Sequence, residues 1–155
     1  GKTPLLIMLD GLEDPHNLGA ILRTADCVGA DGIILGKHRS VALTPTVAKV
    51  STGAIDTVKV AVVNNLSQTL EKLKKQGFWV VGADAQNAQD YRQGQYDVPL
   101  VLVIGSEGFG ISSLVRRHCD YAIALPMAGS VTSLNASVAC AVLLYEIYSQ
   151  RHPLK

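Results

Sequence analysis

Short apolar runs that alternate with helix-like stretches make this chain an α/β protein, a mainly parallel sheet with helices on both faces. Three observations carry that reading. The runs at 5–9, 32–35, 58–63, 78–83, 100–104 and 121–125 are nearly continuous in Val, Ile, Leu and Ala, as strands covered on both faces are. Helix-like stretches lie between them at 17–29, 66–76 and 134–150, with shorter ones at 45–54 and 111–118, and this alternation is what a parallel sheet requires. The third is size: 155 residues, 48% hydrophobic and 17% charged, suit one globular domain over 1–155 and exclude a disordered segment.

The elements follow in order. After the strand at 5–9, Asp14 is placed to cap the first helix, with Pro15 at its first position and Leu18, Ile21, Leu22 and Ala25 on one face. At about 100° per residue, both Asn17 and Arg23 fall off that face. The most polar segment, 84–97, reads as one surface loop. The last helix differs from the others, because over 138–147 apolar side chains point in nearly every direction. That pattern predicts burial against the sheet and against a second copy of the chain, hence a homodimer.

Composition narrows the function classes. A formal charge of +1 supplies no global basic field to hold a phosphate backbone, and 5% aromatic residues are too few for a surface that reads single strands by stacking. Lys37, Arg39, Arg116 and Arg117 are the local basic side chains, each read as solvated charge unless they form a patch. Cys27, Cys119 and Cys140 are odd in number and widely spaced, which fits neither a disulfide framework nor a zinc site; no metal is expected, and reduced thiols favour the cytoplasm. The run at 138–145 stops at Glu146, short of a membrane span, and 5–9 is shorter than a signal-peptide core, so no membrane partner is expected. Because the chain begins at Gly1, an upstream segment is expected.

Three segments are candidates for chemistry. IGSEGFGI, 104–111, follows a buried strand, where open α/β sheets place ligands. It lacks the lysine of a phosphate-binding loop, and Gly105, Gly108 and Gly110 are spaced in the reverse sense of the dinucleotide fingerprint. What remains is a backbone that can approach a ligand closely with Glu107 at its rim, or a tight turn with a solvated Glu. LPMAGSVTSLNAS, 125–137, leads from a strand end into the last helix; Ser133 and Asn135 are N-cap types, and the small residues also leave room for a ligand at unpaired N–H groups. DGLEDPHNLGAILRTAD, 10–26, carries Asn17 and Arg23, with His16 beside them as an exposed loop histidine.

Taken in order, NLGAILRTAD, IGSEGFGI and LPMAGSVTSLNASVA resemble the three motifs of the SpoU/TrmH branch of the SPOUT RNA methyltransferases, over about 5–148. The wording DPHNLGA and PMAGSV is similar to the subgroup that methylates a guanosine ribose in 23S ribosomal RNA. The resemblance implies an α/β fold with a deep C-terminal trefoil knot, a homodimer, RNA as substrate and S-adenosylmethionine as methyl donor. It assigns Asn17, Arg23, Glu107, Ser133 and Asn135 to catalysis. Donor contacts carry over to Ala83, Ile104, Gly105, Leu125, Met127 and Leu134. Relatives of this kind have a small RNA-binding domain ahead of the catalytic one, which this sequence lacks, so weak RNA binding is expected.

Methyl transfer from a sulfonium to a ribose 2′-hydroxyl demands in-line approach and loss of a proton, and no metal. A guanidinium with a pKa above about 12 resists deprotonation, so Arg23 is read as gripping the adjacent phosphate and orienting the hydroxyl. Two other classes stay open: a catalytically inactive RNA-binding module, told apart by donor binding without turnover, and an α/β nucleotide-binding protein. Within the methyltransferases, a tRNA 2′-O-enzyme is the alternative to one acting on rRNA.

Overall fold

The computed structural model describes residues 2–37, 45–106 and 110–155. The elements run β1 (Leu5–Asp10), α1 (Pro15–Cys27), β2 (Gly32–Gly36), α2 (Pro45–Ser51), β3 (Lys59–Val63), α3 (Leu66–Lys75), β4 (Trp79–Ala83), β5 (Gln89–Asp90), β6 (Leu100–Gly105), α4 (Ser113–Arg116), β7 (Tyr121–Ala124) and α5 (Ala136–Arg151). All seven strands join one sheet in the order β3-β2-β1-β6-β4-β7-β5, and every pairing is parallel.

Burial explains the sequence pattern. The central strands β1 and β6 have alternate residues in two separate cores. Ile7, Leu9, Leu100, Leu102 and Ile104 face α1 and α5, whereas Met8, Val101 and Val103 face α3 and α4. Since neither face of these strands meets water, no polar alternation is possible. The edge strand β3 is mostly exposed, with Val62 57% accessible.

Helix ends follow local chemistry. The Asp14 carboxylate accepts from the His16 N–H at 2.8 Å, with Pro15 opening α1. Asn65 caps α3 in the same way through the Gln68 N–H, at 3.0 Å.

Two expectations fail. Segment 84–97 is not one surface loop: Gln89 and Asp90 form β5 against β7, and Tyr96 is buried with its hydroxyl donating to the Tyr91 carbonyl. A two-residue polar strand at a sheet edge carries no hydrophobic period, so the sequence does not announce it. Asn17 is buried, 8% exposed, although its helical angle sets it off the apolar face. α1 packs against α2 as well as α5, so more than one side of the helix is covered.

Candidate functional site

The carboxyl ends of β1, β4, β6 and β7 lie side by side, and the three motif segments meet there. Asp10 and Gly105 are partners in the register of β1 and β6. Gly105 is required by packing: a Cβ added to it would collide with the backbone of Gly110. Gly110 has φ +68° and closes an antiparallel bridge to Ser106, its N–H donating to the Ser106 carbonyl at 2.9 Å. The far side of this turn is tied to β1 by the Ser112 N–H, which donates to Asp10 Oδ2 at 2.8 Å. Glu107 lies outside the described residues, as does Arg39.

Two adjoining cavities, of about 150 and 390 Å³, open at these strand ends and share residues 83–85 on one wall and 132–134 on the other. The smaller is lined also by Leu125, Met127 and Leu143, the larger by Ile104, Gly105 and Ser106. All six residues assigned to donor contacts, Ala83, Ile104, Gly105, Leu125, Met127 and Leu134, therefore border one cleft, and so does Ser133. Small side chains keep it open: Ala83, Ala85, Ala136 and Ala139 stand where larger ones would fill it. Leu134 and Met127 are each 40% exposed in a protein whose other leucines are mostly buried. Apolar surface left bare around a concavity marks a binding site more often than a defect of packing.

Asn135 takes the capping role. Its side-chain oxygen accepts from the N–H of Ser137 at 2.9 Å and of Val138 at 3.4 Å, and from the Ser137 hydroxyl at 2.6 Å. Ser133 is exposed on the cleft wall and caps nothing.

Asn17 and Arg23 do not line the cleft. Asn17 sits in the first turn of α1. Arg23, six residues on, is about 9 Å further along the helix axis and exposed. Among the described residues its guanidinium has no ion-pair or hydrogen-bond partner. His16 is exposed at the same helix start.

Sequence reasoning missed Asp84, Thr132 and Ala139, and read Arg116 as solvated charge unless part of a patch. Asp84 and Ala139 line both cavities, and Arg116 ion-pairs with Asp84 and is no free surface charge. The available signal for Asp84 was its place directly after a buried strand, on the carboxyl side of the sheet. Among the described residues no three His, Cys, Asp or Glu side chains are grouped to hold a metal ion, and no helix is long and apolar enough to cross a membrane.

Comparison with known proteins shows the family. The SpoU rRNA Methylase family model matches residues 4–145. A TrmH family tRNA/rRNA methyltransferase of Bacillus subtilis is 58% identical over 153 residues, 99% of this chain and 61% of that protein. A second from Staphylococcus haemolyticus is 60% identical over 147 residues, 95% of this chain and 59% of its own. The chain thus spans about three fifths of the length of these relatives. Among solved structures, the SpoU methyltransferase AviRb from Streptomyces viridochromogenes in complex with AdoMet superposes with a TM-score of 0.90 at 31% identity, over 97% of this chain and 62% of that one. The AdoMet-bound rRNA methyltransferase from Sinorhizobium meliloti gives 0.90 at 30%, over 100% of this chain and 59% of its own. With the family model matching most of the chain and these relatives more than half identical, the chain belongs to the SpoU rRNA methylase family.

Proposed function

We propose that this chain is the catalytic domain of an S-adenosylmethionine-dependent enzyme that methylates a ribose 2′-hydroxyl in RNA, a guanosine of 23S rRNA in the specific form. One observation carries the reading: six residues from three distant segments, chosen for donor contact by motif alone, border a single cleft. The cleft suits that donor. Leu125, Leu134, Met127 and Ile104 offer apolar walls for a purine, and the tight Gly105–Gly110 approach leaves main-chain groups facing the opening. Bound there, S-adenosylmethionine supplies an electrophilic methyl on a sulfonium.

The chain's own residues do the rest. Arg23 grips the phosphate beside the target ribose through its planar fork and orients the hydroxyl. Asn17 sets the helix that carries Arg23. Asn135 and Ser133 shape the wall between the cleft and α5, and Glu107 is assigned with Asn17 to position Arg23 and the ribose. Proton loss goes to solvent, since a guanidinium is a poor base. No metal takes part.

Because Arg23 lies off the cleft of its own subunit, the proposal includes a homodimer. Val138, Val142, Tyr145 and Tyr148 form an exposed stripe on α5, between 38% and 49% accessible. In the proposed dimer these stripes pack together and Arg23 of one subunit serves the other's cleft. A C-terminal trefoil knot, a cytoplasmic location and an RNA-binding domain outside this chain belong to the same proposal.

Mass mapping of ribose methylation in RNA from cells lacking and regaining the full-length protein tests it. One 23S guanosine that loses and regains its methyl is the expected result. A change in tRNA alone moves the substrate, and no change in any RNA while the donor still binds rejects the enzyme reading in favour of a binding module.

A further inference from the structure

We infer that Arg116 is a positioning residue for the cleft, holding the wall at 84–86 at two points; the inference rests on reading the cleft as the S-adenosylmethionine site. Asp84 and Ala85 border both cavities and Gln86 the larger one. Past the end of β4 this segment has little to fix it. The Asp84 N–H donates to the Ile123 carbonyl at 3.2 Å, and the Gln86 N–H donates back to Asp84 Oδ1 at 3.2 Å, a bond internal to the turn.

Beyond the bond to Ile123, Arg116 fastens it to the body. Its Nε lies 3.5 Å from Asp84 Oδ2, and its Nη2 donates to the Gln86 carbonyl at 2.9 Å. The helix behind it is anchored. Val115 is buried in the core beneath β4 and β6, and the Ser112 N–H is held by Asp10 of β1. One guanidinium therefore spans from a fixed element to the cleft wall. Both Asp84 oxygens are committed, one to the turn and one to Arg116. The paired side chains are 27% and 19% exposed, so the pair is partly shielded from solvent screening. A lysine reaches one of the two acceptors but not both, because the two contacts use separate nitrogens of a rigid fork.

A wall held in place before the ligand arrives spares the ligand the ordering cost, and affinity rises accordingly. The test pairs hydrogen exchange of the free chain with calorimetric titration of S-adenosylhomocysteine. In Arg116→Gln, exchange across 84–86 speeds up and S-adenosylhomocysteine binds about tenfold more weakly, while Arg116→Lys recovers part of both. Lys75→Gln, a loss of the same charge from an exposed end of α3, changes neither. Unchanged exchange at 84–86 in Arg116→Gln overturns the inference, and so does faster exchange with unchanged affinity. If the unaltered chain binds no S-adenosylhomocysteine, the cleft reading fails and the role of Arg116 falls with it; the wild-type titration alone identifies that case.

Discussion

The two ends of this sheet are built from different chemistry. At the amino end, charged side chains close off backbone. The Arg151 guanidinium donates to the carbonyls of Thr3, Pro4, Tyr96 and Val98, at 2.8 to 3.1 Å. Asp31 accepts from the Leu5 N–H, and Asp120 accepts from the Val80 N–H while pairing with Lys74. At the carboxyl end the cleft is bordered mainly by alanine, glycine and half-exposed leucine and methionine. The amino end also has a cavity, of about 440 Å³ and larger than either part of the cleft, but the guanidinium that lines it is spent on four carbonyls. Volume alone does not locate function; the motif segments 104–111 and 125–137 meet at the carboxyl end and not here.

That contrast predicts that substitutions at the two ends separate activity from stability. The largest effect is expected on α1: Arg23→Ala in the full-length enzyme lowers single-turnover methyl transfer by about a hundredfold or more, with donor affinity within a few fold. Equal loss of donor binding would move Arg23 into the cleft. Arg23→Lys keeps a point charge and loses the fork, so near-normal activity there would refute bidentate orientation.

Next comes the amino end. Arg151→Ala strips four carbonyls of a charged donor and is expected to cost roughly 3 kcal/mol, reduced from the sum of four bonds because the group is partly solvated. Thermal melting reads this as a fall of about 6–12 °C, with donor affinity unchanged.

The core between the ends gives a pH dependence. Burial pushes the Cys140 thiol from 9.0 up to about 12 and Cys119 up to about 11. Above pH 9 the unfolded chain releases protons that the folded chain retains, so stability falls as pH rises from about 9 towards 12 and is unaffected by these groups below 9. Denaturant melts at pH 8 and 10.5 check the sign, and Cys140→Ala flattens the slope.

The smallest effect sharpens the comparison most finely. Asn135→Ala and Asp14→Ala each remove one N-cap, at about 1 kcal/mol. Only the first adjoins the cleft, so only Asn135→Ala weakens donor binding.

How much of this the sequence showed depends on the distance over which each feature is determined. The runs at 5–9 and 100–104 were legible because β1 and β6 are buried on both faces, and the Asp14 cap because Pro15 and the apolar face follow at once. β5 was not, being two polar residues held by β7 from across the sheet edge. Asn17 was misplaced because helical periodicity describes one apolar face, whereas α1 packs against both α2 and α5. The cleft itself follows from strand order, which joins β6 to β1 and β4 to β7 across long stretches of chain. Local pattern marked 104–111 and 125–137 separately as places for a ligand, and only the resemblance of three motifs joined them. The Arg116–Asp84 pair had no signal at all, since a basic residue on a short helix reads as solvated charge until its distant partner is known.

The most direct measurement is titration of S-adenosylmethionine into this chain and into two variants that fill one cavity each. Ala139→Trp occupies the cleft and Cys27→Trp the amino-end cavity. One molecule bound per subunit in the unaltered chain, lost in Ala139→Trp and kept in Cys27→Trp, is the result expected. Binding of ATP or NAD with neither S-adenosylmethionine nor S-adenosylhomocysteine bound, or loss of donor binding in Cys27→Trp alone, would contradict the assignment of function to the carboxyl end of the sheet.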